Sequence, residues 1–127
     1  HRLSTGQIEE VVSNHASIAE CAVVGRTDAE KGQVPVGLIV VKDGVEIASS
    51  AQRDALAVEL VAMVRAQVGA FANFRQVFVV ARLPKTRSGK ILRKVIRGML
   101  DGVAVSVPST IEDATVLDEL ADNFSGS

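Results

Sequence analysis

Apolar residues change their spacing along the chain, and each change marks an element. In STGQIEEVVSNHASIAE, Ile8, Val11 and Val12 recur at helical spacing. Ser4 or Thr5 stands where an N-cap belongs, and Glu9 and Glu10 lie toward the positive end of the dipole, so a short amphipathic helix is expected. The runs CAVVGR and VGLIVVKDG are rich in β-branched residues, the first stopped by Gly25 and the second by Asp43-Gly44. Both read as strands. RTDAEKGQVP between them gathers turn formers, and Pro35 suits an edge or the first position of the second strand, so a hairpin-like pair follows.

The period then returns to that of a helix. Leu56, Leu60, Val61, Val64 and Val68 share a face, with Ser49 or Ser50 before them and Gly69 after, predicting the longest helix. RQVFVVARL reads as a third strand that Pro84 stops, and PKTRSG as a loop. In KILRKVIRGML the helical period runs through Ile91, Leu92, Val95, Ile96 and Met99, with Ser88 positioned to cap. The segment 104–127 has one short periodic patch and a Gly/Ser finish, and is expected to be a partly ordered tail. Helix, strand, strand, helix, strand, helix gives an α+β fold: a small, about three-stranded sheet flanked by helices.

Composition narrows the class. The 127 residues, 47% hydrophobic, suffice for one core but not for two ordinary domains. Aromatic residues make up only 3% and the net charge is -1, which disfavours a nucleic-acid surface. The single cysteine, Cys21, lies in an apolar run and reads as a small buried residue of a reducing compartment. No stretch approaches the roughly twenty apolar residues of a membrane span, and the opening lacks the order of a secretory signal, so a cytoplasmic chain without a membrane partner is expected. A start at His1 rather than Met suggests a piece of a longer protein.

Charge is concentrated in one place. LPKTRSGKILRKVIRG carries Lys85, Arg87, Lys90, Arg93, Lys94 and Arg97 and no acidic residue. A phosphate loop of the form G-x-x-x-x-G-K-[ST] is excluded, because no glycine stands at the required distance before Gly89 and Ile91 occupies the hydroxyl position. Two readings stay open on chemistry alone: a solvated basic face beside a turn, or a turn in which Gly89 bends the chain and Lys90 reaches outward to an anion.

The same residues carry a resemblance. PKTRSGKILR resembles the C-terminal signature of adenylate-forming acyl-CoA synthetases, and HRLSTGQIEEVV, IAECAVVG, KGQVP and STIED are similar, in the same order, to the acetyl-CoA and propionyl-CoA synthetase branch. The resemblance covers only the mobile C-terminal lid: residues 1–103 form the lid domain and 104–127 its tail. It implies an AMP-forming acid–thiol ligase, propionate being expected ahead of acetate. A small carboxylic acid and ATP give an acyl-adenylate, which CoA converts to acyl-CoA and AMP. ATP, CoA and Mg²⁺ are implied, held mainly by an N-terminal adenylation domain that is the implied partner, and the fragment alone is expected to be inactive.

Site residues follow from the resemblance. Lys90 matches the catalytic lysine of adenylation and is also the implied acetylation site, which makes a lysine acetyltransferase or deacetylase a partner. Ser88 and Gly89 shape the turn that aims it. Arg2 matches an arginine on ATP phosphate. Arg65 matches one near CoA phosphate, or is simply a helix-surface arginine. Gly32 and Gln33 lie in a loop that approaches the active site during thioester formation. His15 matches a position of a structural metal, or is no ligand at all. The alternative function is a protein-interaction module whose basic loop is only a target for lysine modification.

Overall fold

A computed structural model describes residues 5–126. In chain order it contains α1 (Thr5–Ser13), β1 (Ile18–Asp28), β2 (Gly32–Val41), α2 (Ser50–Gln67), a 3-10 turn (Ala70–Ala72), β3 (Gln76–Val79), α3 (Arg93–Leu100) and α4 (Val116–Ser125). The α+β architecture read from the spacing is present. β2 lies between β1, its antiparallel partner, and β3, which runs parallel to it after the crossover through α2.

Both faces of the sheet are covered, so its strands are apolar runs rather than alternating ones. On one face Cys21, Val23 and Ile39 pack with Ile8 and Val12 of α1 and Leu60 and Val64 of α2. On the other, Ala22, Val24, Val36 and Leu38 pack with Ile96 and Leu100 of α3 and Leu120 of α4. Ile8, Leu38, Ile39, Leu60, Ile96 and Leu120 are wholly buried, each contributing roughly 1.5–3 kcal/mol by burial. Gly37 faces the Phe74 ring so closely that a Cβ there would lie 2.8 Å from its Cζ. Pro35 pairs with Gly25 just beyond the β3 ladder, which begins at Val36, so its missing N–H breaks no bond to β3.

Local chemistry explains the element ends. Ser49 caps α2: its hydroxyl accepts from the Gln52 N–H, and the Gln52 side chain accepts from the Ser49 N–H. Ser4 lies outside the described residues. Glu9 lies beyond the first turn of α1 and does not serve the dipole. Its carboxylate accepts from the Val23 N–H at 3.0 Å, covering the open edge of β1, and pairs with Arg93.

One expectation is corrected. Ser88 does not cap α3, which begins only at Arg93 after an N-cap, Leu92, without a side-chain cap bond. The backbone bonds before it are committed elsewhere: Lys85 and Ile91 pair across a hairpin, and the Leu92 N–H donates to Pro84 O. The segment after 103, expected as a partly ordered tail, carries α4. This helix buries Val116 and Leu120, sets Phe124 edge-to-face on Phe78 with ring centroids 4.9 Å apart, and places Asn123 Nδ2 on Val79 O at the outer edge of β3.

Candidate functional site: the Lys90 hairpin

The chain reverses over Arg87-Ser88-Gly89. The Gly89 N–H donates to Thr86 O at 2.9 Å, and the Thr86 N–H donates to Lys90 O at 2.9 Å. Gly89 takes φ +90°, a left-handed conformation that L-residues adopt at a cost, and a Cβ there would meet nothing within 4 Å. Glycine is therefore required by the dihedral and not by crowding. Thr86 fastens the loop from inside, its Oγ1 accepting from the Lys90 N–H at 3.1 Å and lying 3.0 Å from Ser88 Oγ.

A third segment braces this hairpin. The Arg87 N–H donates to Thr110 O at 3.0 Å, the Glu112 N–H donates to Lys85 O at 2.9 Å, and Thr86 pairs with Ile111 as an antiparallel bridge. Lys90 is exposed at the end of this ribbon. Among the described residues its ammonium makes no ion pair, whereas Lys85 pairs with Glu20 and Arg93 with Glu9. Of the six basic residues, Lys85 and Arg93 are tethered, while Arg87, Lys90, Lys94 and Arg97 make no ion pair among the described residues; Arg87 and Lys90 are the two of these on the braced hairpin.

The other expected residues occupy separate places. Gly32, at φ +79°, ends the β1–β2 turn, where the Asp28 carboxylate accepts from the Lys31 and Glu30 N–H groups; these bonds hold its pKa below the ordinary value. Gln33 shares a cleft of about 530 Å³ with Lys94, Arg97 and Asp101 of the α3 end. Asp101, in its wall, accepts from the Thr27 N–H and Oγ1 at 2.9 and 2.8 Å, which lowers that carboxyl's pKa. Lys90 does not line it. Arg65 is exposed on the last turn of α2, above a hollow of about 50 Å³ that Arg75, Asn73 and Gly69 also line. Arg75 was not singled out in the sequence, because only folding brings it beside Arg65.

His15 has protein partners on both ring nitrogens: Nδ1 accepts from the Ser17 N–H at 3.0 Å, and Nε2 faces the Glu59 carboxylate. The ring joins the end of α1 to α2. Among the described residues no group of three or more His, Cys, Asp or Glu gathers around a common point. Cys21 is buried, and burial first and the nearby Glu9 second push its thiol up to about 12. Arg2 lies outside the described residues.

Residues 7–90 match the family model described as AMP-binding enzyme C-terminal domain. The chain belongs to this family. The matched range ends on Lys90, so α3, α4 and the bracing segment lie beyond it. Over 120 residues, 94% of the chain, it is 56% identical to an uncharacterized protein of Pseudomonas aeruginosa, of which it covers 18%. It is 46% identical over 124 residues, 98% of the chain, to acyl-CoA synthetase short-chain family member B of Dictyostelium discoideum, covering 17% of that protein. An acyl-CoA synthetase from Brucella canis superposes with a TM-score of 0.69 at 33% identity, over 79% of this chain and 18% of that one. The chain thus spans less than a fifth of the length of these relatives. As an AMP-binding enzyme C-terminal domain, it contains Lys90 as the last residue of the shared pattern.

Proposed function

We propose that this chain is the C-terminal lid of an AMP-forming short-chain acyl-CoA synthetase, acting on propionate or acetate, with Lys90 as its adenylation lysine. The observation that carries the reading is the exposed ammonium of Lys90, unpaired among the described residues, on a hairpin braced from one side. In the first step an acid carboxylate oxygen attacks the α-phosphorus of ATP, and the bond to pyrophosphate breaks. The long, compact cation of Lys90 holds the carboxylate and α-phosphate oxygens together while negative charge develops between them. In the second step the CoA thiolate attacks the acyl carbon and AMP leaves. For this step the exposed Arg65 meets a CoA phosphate, and the Gly32–Gln33 turn approaches the acyl-adenylate.

Arg2 contributes a guanidinium to ATP phosphate, and Mg²⁺ is held by the N-terminal adenylation domain, the partner that completes the site. Acetylation of Lys90 by a lysine acetyltransferase would remove the charge and silence adenylation. The enzyme is cytoplasmic on this reading, and the isolated chain has no ligase activity. The test is Lys90→Ala in the full-length enzyme. AMP formation from acid, ATP and CoA should collapse while thioester formation from preformed acyl-adenylate survives, and loss of both steps alike would refute the role.

A further inference from the structure

The bracing segment is locked at its base by one side chain. Arg82 lies between β3 and the hairpin, where its Nη1 donates to Asp113 Oδ2 at 2.7 Å, its Nη2 to Thr115 Oγ1 at 2.9 Å and to Glu119 Oε2 at 2.6 Å, and its Nε to both Glu119 oxygens at 3.2 Å. Asp113 follows Glu112 directly, the residue whose N–H holds Lys85 O. It is itself pinned by the Thr115 N–H at 3.0 Å and hydroxyl at 2.6 Å. A planar guanidinium meets all three acceptors with donors in a fixed fork; an ammonium, a point charge with three rotatable donors, lacks that fork. From Arg82 the path to the Lys90 loop runs through Asp113, Glu112, Ile111 and Thr110 to Lys85, Thr86 and Arg87, by backbone bonds at each crossing.

From this geometry we infer that Arg82 is a positioning residue for Lys90, acting through Asp113 and the segment Thr110–Glu112. The inference rests on the adenylation role given to Lys90 above. An isolated two-stranded hairpin is marginal in water, and Lys85–Ile91 is short and exposed at its tip. The third segment makes it a ribbon of three, and Arg82 fixes that segment to the end of β3 and to α4. A lysine whose task is to bridge two oxygens loses rate steeply when its backbone shifts by as little as 1 Å.

The experiment uses the full-length enzyme with Arg82→Met, Arg82→Lys, Asp113→Asn and, in parallel, Lys90→Ala. Both half-reactions are measured, together with amide hydrogen exchange. Arg82→Met should lower kcat for adenylation about tenfold while leaving thioester formation from preformed acyl-adenylate within about twofold. Exchange at the Arg87 and Glu112 amides should accelerate, and exchange in β1 and β2 should not. Asp113→Asn should show a smaller loss in the same step, and Arg82→Lys should recover part of the rate. Adenylation that survives in Arg82→Met but collapses in Lys90→Ala overturns the positioning role alone, as does an equal loss in both half-reactions. Adenylation that survives in Lys90→Ala overturns the reading beneath it.

Discussion

Thr86 and Ile111 face each other as antiparallel bridge partners. The loop that carries Lys90 is therefore built from two distant pieces of chain, and its geometry depends on residues beyond the range matched to the family. That dependence, together with the positive φ of Gly89, leads to the first prediction.

Gly89→Ala should destabilise the protein by about 1–2 kcal/mol, the cost of a left-handed conformation for a residue with a Cβ. Open space around the position leaves no steric term to add. Chemical denaturation of wild type and variant measures the difference, and an unchanged midpoint would show that the hairpin does not need this dihedral. In the full-length enzyme the same variant should slow adenylation more than thioester formation.

Acid should release α4 before it melts the sheet. Asp113 is held at about 2, below its ordinary 3.8, by Thr115 first and Arg82 second, and Glu119 is lowered by Arg82. A carboxyl with a depressed folded pKa adds stability above its unfolded pKa and loses it as pH falls through the folded one. The window for Asp113 is thus from about 4 down to about 2. Amide spectra across this range should show Thr115 and Glu119 broadening or shifting while β1 and β2 stay native. Simultaneous loss of all signals would contradict the local clamp.

Cys21 behaves oppositely with pH. Its thiol is raised to about 12 from an ordinary 9.0, so the folded state keeps a proton that the unfolded chain gives up. The contribution is intact below about 9 and is lost as pH rises toward 12. Alkylation by iodoacetamide at neutral pH should be slow in the native protein and rapid in denaturant. Equal rates in both would mean that the thiol is not buried as described.

Arg65 and Arg75 share the hollow at the end of α2. Replacing Arg65 by Ala in the full-length enzyme should raise KM for CoA by roughly tenfold, the loss of one charge-assisted contact to phosphate. Pyrophosphate release from acid and ATP should not change. An effect confined to pyrophosphate release would place Arg65 in the adenylation step and contradict its assignment to CoA.

Much of this fold was legible from spacing, and the exceptions have specific causes. β1 and β2 appeared as unbroken apolar runs because helices cover both faces of the sheet. α2 showed its period and a serine cap, and the structure selects Ser49 over Ser50 for that cap. The Lys85–Ile91 hairpin was masked because Ile91 and Leu92 continue the helical period of Val95 and Ile96. Their backbone groups nonetheless bond to Lys85 and Pro84. In α4, Val116, Leu120 and Phe124 lie four apart, but the surfaces they bury against, Phe78 among them, belong to other elements and cannot be read locally. The basic loop and adjoining glycine made Lys90 a candidate, and only the resemblance to acyl-CoA synthetases gave it a role over the solvated-face reading. Its brace could not, because Arg82, Thr110 and Asp113 meet only through the tertiary fold.

Lys90 is one of six basic residues in one short stretch, and its service in the first chemical step separates it from the other five. ATP–pyrophosphate exchange supported by propionate or acetate, measured on the full-length enzyme with Lys90→Ala and with Lys85→Ala, tests this most directly. Lys85 is paired with Glu20 and should be dispensable for chemistry, so Lys85→Ala should retain exchange within about threefold, less than about 1 kcal/mol of barrier. Lys90→Ala should abolish exchange while still converting preformed acyl-adenylate and CoA to acyl-CoA. Exchange persisting at the wild-type rate in Lys90→Ala would contradict the central claim.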